Sequence, residues 1–372
     1  VPVHGFYEEK RRKIIIFVKM EEKKITIIDV ANKAGVSKGT VDRVLHNRGE
    51  VSKKSAEKVR KAIEELSYEP NLYASLLATT KSVRTIACIL PESVSGEYWS
   101  RIHKGIADGG DDVASFNVST ECFYYNQYEQ SSFVEACHRL VESKPDAVVI
   151  PPLFKNATME LANDLTERGI PYVYVDTKLE DSNYFSYFGM PMYKSGCLCA
   201  HLLTENCSPE DVTDIAVIRI KRDKARQSDP TLTRRSGFND FIEANFPECN
   251  LHSVFIDPSD PDGNAAVLDE FFTKEGPFKF VVMFNSRIHL VSDYLLSHPL
   301  PGRRVIGFDD LDGNMEALKH GAVTLLIAQH SDQQSRKAVN VLSDYILMHK
   351  QPSVKDNYMH MDILTKYNME DY

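Results

Sequence analysis

From Thr85 onward, short apolar runs alternate with amphipathic segments at helical spacing, and this alternation restricts the possible folds more than any other feature of the chain. Strand TIACIL precedes a helix near Tyr98 to Ser115, then come strand ECFYY, a helix Glu129 to Ser143, strand DAVVIP, a helix Ala157 to Arg168 and strand PYVYVD. Strands separated by helices run parallel with right-handed crossovers, which predicts a parallel sheet with helices on both faces. The pattern then restarts with helix Tyr193 to Glu205, strand DIAVIRI, helix Thr233 to Asn245 and strand HSVFID. Helix Gly263 to Thr273, strand KFVVMF, helix Ile288 to Leu296 and strand RRVIGFDD complete it. Two doubly wound α/β sheets in tandem are therefore expected. Ligands of such sheets bind beyond the carboxyl ends of the strands, so the cleft between them is the default site.

The first quarter is of another type. Through Arg84 there are 18 lysines and arginines against 11 acidic residues, whereas the remainder carries 26 against 42, within a net charge of −9. A small basic module facing a polyanion, joined to an acidic body, fits that split; a run of solvated lysines fits the charge alone as well. Residues TIIDVANK read as a short helix with Thr26 as its N-cap and Asp29 completing a capping box, and Ile27, Val30, Ala31 and Ala34 line its inner face. Gly35 supplies a turn, and Ser37 caps a second helix from Lys38 to about His46 that buries Val41, Val44 and Leu45. Ser52 caps a third helix to about Ser67, with Ala56, Val59, Ile63 and Leu66 inside. Two short helices about a glycine turn form a helix-turn-helix candidate. A further short helix is expected from Asn71 to Thr79, followed by a polar connector to Arg84.

Several classes are excluded or disfavoured. The early apolar run Ile14 to Val18 is far below the ~20 residues that span a bilayer, and no secretory signal is recognisable, so a cytoplasmic protein without membrane partners is expected. Seven cysteines, an odd number without C-x-x-C spacing, read as buried free thiols rather than a metal site. No phosphate-binding loop, zincin or nucleophile-elbow motif occurs, and DPSDPDGN fails the calcium-loop register. No catalytic residue, metal or cofactor is assigned, and the protein is not expected to be an enzyme. A sugar-modifying Rossmann-like enzyme and an exported sugar-binding receptor are the alternatives.

The stretch from Ile25 to Ala78, ITIIDVANKAGVSKGTVDRVLHNRGEVSKKSAEKVRKAIEELSYEPNLYASLLA, resembles the DNA-binding headpiece and hinge helix of the lactose-repressor (LacI) family of bacterial transcription regulators. The rest of the chain, to about Lys366, resembles that family's core, a type I periplasmic-binding-protein-like fold of two doubly wound parallel-sheet subdomains. The resemblance divides the chain into an N-terminal extension (1–23), a helix-turn-helix domain (24–70), a hinge helix and linker (71–84), a core N-subdomain (85–177 and 329–350) and a core C-subdomain (178–328 and 351–372). It implies a ligand-responsive repressor acting as a homodimer on a palindromic double-stranded DNA operator of carbohydrate-utilisation genes. YNMEDY after Lys366 has no apolar heptad, which disfavours a tetramer built on a terminal coiled coil.

Residue by residue, the resemblance puts Lys38, Gly39 and Arg43 at base-reading positions, with Arg43 able to fork to guanine O6 and N7. Asp42 stands where the family commonly has Ser; it either accepts from a cytosine amine or pairs with a neighbouring cation. Thr26, Ser37, Thr40, His46, Asn47, Ser52, Asn71 and Ala78 complete the DNA-contact set. By the family pattern Leu77 is a wedge entering the minor groove, and Ala74 lets paired hinge helices approach. For the effector, strand ends offer Ser95, Tyr98, Trp99, Tyr125 and Asp176 in the first half, and Asn285 in the second. The R-x-x-G-F element of TRRSGFNDF makes Arg234 a hydroxyl or carboxylate clamp, Asp309 of VIGFDD is the family's usual acceptor, and Gln329 in LLIAQ is a further candidate. Asp309 could instead fix its own loop, and Trp99 could be core. Gly189, Met190 and Pro191 stand where many members have a polar turn, which departs from the family's ligand contact at that edge.

Overall fold

The computed structural model describes residues 25–45, 51–66, 82–221 and 230–370, which belong to two units divided between Thr79 and Thr80. Among the described residues no helix is long and apolar enough to cross a membrane.

In the first unit, helices α1 (Ile27–Ala34), α2 (Lys38–Leu45) and α3 (Lys53–Glu65) enclose a small core of Val30, Ala31, Ala34, Val41, Val59 and Ala62. Its turns are locally encoded. Thr26 and Asp29 form the expected capping box, the Thr26 N–H donating to Asp29 Oδ2 at 2.8 Å and the Asp29 N–H to Thr26 Oγ1 at 3.4 Å. Gly35 ends α1 with φ +63°, a left-handed conformation that favours glycine, and the Val36 N–H returns to the Ala31 carbonyl at 3.0 Å. Ser37 then accepts from the Thr40 N–H at 3.2 Å and starts α2. Lys33 pairs with Glu65 at 3.1 Å, tying α1 to α3.

The second unit contains two six-stranded sheets. The first uses β1 (Arg84–Pro91), β2 (Val118–Tyr125), β3 (Ala147–Ile150), β4 (Tyr172–Asp176), β5 (Ser186–Gly189) and β11 (Asp356–Tyr358), in the order β11-β5-β4-β3-β1-β2 and wholly parallel. Helices α4 (Tyr98–Ala114), α5 (Gln130–Glu142), α6 (Lys155–Glu167) and α12 (Ser331–Met348) accompany it. The second uses β6 (Asp214–Ile220), β7 (Asn250–Ile256), β8 (Phe280–Met283), β9 (Arg304–Phe308), β10 (Leu325–Ala328) and β12 (Asp362–Leu364), in the order β12-β10-β9-β8-β6-β7, with only β12 antiparallel. Its helices are α7 (Met192–Leu203), α8 (Pro230–Asn245), α9 (Pro261–Lys274), α10 (Ser292–Ser297) and α11 (Asp312–Lys319).

Burial explains the apolar runs. All of Ile86 to Pro91 is buried in β1, as a central parallel strand covered on both faces requires. On β6, Ile215 and Val217 join one core cluster while Ala216 and Ile218 join another, so each sheet face has its own core. The chain crosses between the sheets three times, after β5, β10 and β11. This corrects the division expected at 177/178 and 350/351, because β5 and β11 pair within the first sheet. The two strands have four and three residues, and β11 reads Asp-Asn-Tyr. Runs so short carry no periodicity; neighbouring strands place them.

Helices α7 and α8 interlock through two glycines. A Cβ added at Gly196 would lie 1.8 Å from the Arg234 carbonyl oxygen, and one at Gly237 would lie 2.0 Å from that of Tyr193. The Gly of the R-x-x-G-F element is thus a packing residue that fixes where Arg234 sits. Gly237→Ala should lower thermal stability by about 1–3 kcal/mol through forced helix separation, read by circular-dichroism melting; an unchanged Tm would contradict this packing role.

Candidate functional site

On the first unit, Val41 is fully buried while Ser37, Lys38, Gly39 and Arg43 are exposed, so the start and outer face of α2 are open to solvent. Thr40 and Asp42 are half-buried. Thr26 and Ser52 are exposed N-caps, Ser52 accepting from the Ser55 N–H at 3.2 Å. His46, Asn47, Asn71, Ala74, Leu77 and Ala78 lie outside the described residues.

In the second unit, the carboxyl ends of the strands border a cavity of about 680 Å³. Two aspartates mark equivalent strand ends, Asp176 on β4 and Asp309 just past β9, and both have φ +69°, a conformation Asp tolerates better than most side chains. A helix side chain and a strand carbonyl accept from their backbone N–H groups. The Asp176 N–H donates to Gln334 Oε1 at 3.1 Å, and the Asp309 N–H to the Ile327 carbonyl at 3.0 Å. Tyr98 donates to Asp176 Oδ1 at 2.5 Å and accepts from Gln329 Nε2 at 3.3 Å. Ser286 donates to Asp309 Oδ2 at 2.5 Å. Asn314, fully buried in the first turn of α11, donates to the carbonyls of Ser286, Phe308 and Asp309 at 2.9–3.0 Å and accepts from His289. It clamps the two loops that present Ser286 and Asp309. Among the described residues, Asp309 Oδ1 and Gln329 Oε1 are buried acceptors with no donor.

Arg234 closes the charge pattern. It is 4% exposed, its Cζ lies 3.8 Å from the centroid of Phe308, and its Nε donates to Ser195 Oγ at 3.1 Å and its Nη1 to the Phe284 carbonyl at 2.5 Å. Nη2 faces the Met190 and Met192 sulfurs at 3.5 and 3.3 Å, weak acceptors where a polar turn was the family expectation. Most of the guanidinium is therefore directed at the protein, which narrows its expected role as a clamp. Burial pushes the Asp176 carboxyl up and that of Asp309 to about 6, with the Arg234 charge opposing both shifts. Burial and the two aspartates push the Tyr98 hydroxyl well above its ordinary range, so it remains a donor.

The cleft wall comes from both sheets. Trp99 Nε1 donates to Gln127 Oε1 at 3.3 Å, and the two subdomains are bridged by Arg287 to Glu97 at 2.9 Å and by Arg101 to the Asp310 carbonyl at 2.9 Å. Of the sequence-derived effector residues, Tyr98, Trp99, Asp176, Arg234, Asn285 and Gln329 border the cavity, and Asp309 lies behind Ser286. Ser95 is exposed on the preceding loop and Tyr125 is core, packed 4.9 Å from Phe133 and 6.2 Å from Phe154. Neither borders the cavity. Tyr125 points to the α5 side of the sheet, and Gln127 and Tyr128 just beyond it reach the cleft instead. Gln127, Arg287, Asn314 and Met192 were not found from the sequence, and Met190 was marked only as a departure from the family's polar turn; nearness to strand ends hinted at the first two.

The Asp309 environment has a measurable consequence. Its native carboxyl titrates near 6 against ~3.9 in an unfolded chain, so the native state binds the extra proton between these values and stability falls as pH rises through that window. Asp309→Asn keeps an acceptor for Ser286 and tolerates positive φ. It should raise stability at pH 7.5 by on the order of 2 kcal/mol and have little effect near pH 4. Equal effects at the two pH values would contradict the assigned burial.

Comparison with known proteins agrees with this two-part organisation. Residues 26–71 match the family of bacterial regulatory proteins, lacI family, and residues 86–350 match the periplasmic binding protein domain. The chain is 39% identical over 90 residues to the HTH-type transcriptional regulator DegA of Bacillus subtilis, covering 24% of this chain and 26% of that protein. It is 31% identical over 163 residues to the ribose operon repressor of Lactococcus lactis subsp. lactis, covering 43% and 45%. The matched regions thus span less than half the length of these curated relatives. A crystal structure from Bacteroides fragilis, assigned as a LacI transcriptional regulator, superposes with TM-score 0.73 at 30% identity over 78% of this chain and 100% of that one. Solved sugar-binding transport proteins at lower identity share the core fold, among them a glucose-galactose binding protein of Geobacillus stearothermophilus with TM-score 0.64 at 18% identity. With the headpiece matching one family description and the larger unit matching a LacI-type structure along its whole length, the chain belongs to the LacI family of bacterial regulatory proteins, built on a periplasmic-binding-protein-like core.

Proposed function

We propose that the chain is a DNA-binding transcription regulator, a repressor acting as a homodimer, in which α2 of each headpiece reads one half-site of a near-palindromic operator. The observation that carries this reading is α2 itself: a helix anchored by buried Val41 that leaves Lys38, Gly39 and Arg43 open at its start and outer face, the geometry a helix entering the major groove requires. Arg43 supplies a bidentate fork for guanine, Gly39 leaves one reading position silent, and Lys38 carries more of the remaining contact. Ser37, Thr40, Thr26 and Ser52 lie at helix starts suited to phosphate. His46, Asn47, Asn71, Ala74, Leu77 and Ala78 are assigned DNA contacts by the family pattern alone, Leu77 as the minor-groove wedge.

The cleft is proposed as the effector site, and its polarity favours an uncharged, hydroxyl-rich molecule such as a sugar. Asp176 at the floor and Gln329 offer acceptors to a ligand's hydroxyl groups, with Asp309 behind Ser286, whereas Arg234 spends most of its N–H groups on the protein. Tyr98 and Trp99 supply apolar ring faces. Relatives named for the ribose operon and for catabolite control support carbohydrate-linked regulation. Ligand binding changes the angle between the subdomains and hence the pairing of the segments that follow the headpieces. A coupling of ~1–3 kcal/mol would change operator affinity about 5- to 150-fold.

Selection of duplexes from a random pool by the full chain, followed by sequencing, tests the DNA reading. Enrichment of a two-fold-related motif is expected, and no binding to any duplex at low ionic strength would defeat it. Arg43→Ala should relax the preference for one base in each half-site, about 5- to 150-fold, while affinity for unrelated DNA changes little. Selectivity equal to that of the unmodified chain would remove Arg43 from the base-reading set.

A further inference from the structure

Cys88 and Cys122 are direct partners in the β1–β2 register, on neighbouring parallel strands and on the same sheet face. Adjacent strands run about 4.8 Å apart, inside the Cα separation of about 4.4–6.8 Å that a disulfide accepts. Cys88 is fully buried, whereas Cys122 is partly exposed near the open edge of the sheet, where β2 is the last strand. The Cys88 S–H donates to the Ile86 carbonyl at 3.9 Å, and exposed Tyr124 lies two residues beyond Cys122 on the same face of β2. The neighbouring Cys88 and Tyr124 draw the Cys122 thiol below its ordinary range against its partial burial, whereas Cys122 and burial raise the Cys88 thiol, and burial pushes the thiols of Cys137, Cys199 and Cys249 up. Neither cysteine borders the effector cleft.

We propose that Cys122 and Cys88 form a peroxide-reactive dithiol, with Cys122 as the attacking sulfur and Cys88 as the resolving one. In the first step the Cys122 thiolate attacks one oxygen of a hydroperoxide. The O–O bond breaks, the leaving oxygen takes up a proton as water or alcohol, and Cys122 becomes a sulfenic acid. In the second, the Cys88 sulfur attacks Cys122, the S–O bond breaks, and the departing hydroxide takes the Cys88 proton and leaves as water. Two thiols are oxidised to one disulfide and one hydroperoxide is reduced. The bond would lie at the last strand of the sheet with Cys122 partly exposed, where a reductant reaches it, so it is a reversible link rather than a permanent staple. β1 leads through a short loop to the first turn of α4, which carries Trp99, and β2 leads to the loop that carries Gln127, so oxidation acts on strands that support one wall of the cleft.

Hydrogen peroxide titrated onto the reduced full-length chain, followed by non-reducing peptide mapping by mass spectrometry, tests this directly. The expected product is a Cys88–Cys122 linked peptide that dithiothreitol releases. In Cys88→Ala, Cys122 should stop at the sulfenic acid and be captured by dimedone. In Cys122→Ser, oxidation of Cys88 should slow at least about tenfold. The proposal is overturned if Cys122 in the unmodified chain is consumed without linkage to Cys88, or if part-exposed Cys207 and Cys249 react while Cys122 stays reduced. The map of the unmodified chain decides the matter even if a variant folds poorly.

Discussion

The cleft depends on a cation buried between two strand ends. Arg234, held by Ser195 Oγ and the Phe284 carbonyl and stacked on Phe308, is the positive charge against which Asp176 and Asp309 are tolerated inside the protein. Removing charges from water is expensive, and an arrangement of two acids and one base stays under tension unless further donors arrive. The interlocked glycines of α7 and α8 set the guanidinium in place, while Asn314 sets the loops around Asp309. The helix packing and the chemistry of the site are therefore one constraint, and Gln329 Oε1, on a residue that borders the cavity, is an acceptor without a donor among the described residues.

The links across the cleft are weak by comparison. Arg287 to Glu97 and Arg101 to Asp310 join the two subdomains through partly exposed ion pairs, and such pairs contribute at most about 1 kcal/mol each. They set relative orientation without locking it. A ligand that supplies donors to the floor from one side and ring contacts from the other binds the closed arrangement selectively, which is what a ligand-driven shift between states requires.

Features encoded within a few residues were legible in the sequence. The Thr26 capping box, the Gly35 turn, the Ser37 and Ser52 caps and the strand-end positions of Asp176 and Asp309 all lie where local pattern put them. Arg234 was found because its motif carries it, but its orientation was not, since that depends on α7 crossing α8. Contacts between segments nearly 200 residues apart, such as Arg287 with Glu97, leave no periodic trace. Tyr125 was misplaced because alternation along an edge strand does not say which face meets the helices and which residue beyond it turns into the cleft. Strands β5 and β11 escaped because each is shorter than the window in which a period of two can be counted.

Trp99 is the only tryptophan in the chain and borders the cavity, so its emission reports on the cleft without a label. The most direct test is to titrate the full-length protein with a panel of neutral sugars and their phosphorylated counterparts while recording that emission. A saturable change with at least one neutral sugar, weakened at least about tenfold by phosphorylation and lost in Gln329→Leu, is the result expected if buried acceptors select the ligand. Tighter binding of the phosphorylated partner throughout the panel would contradict it.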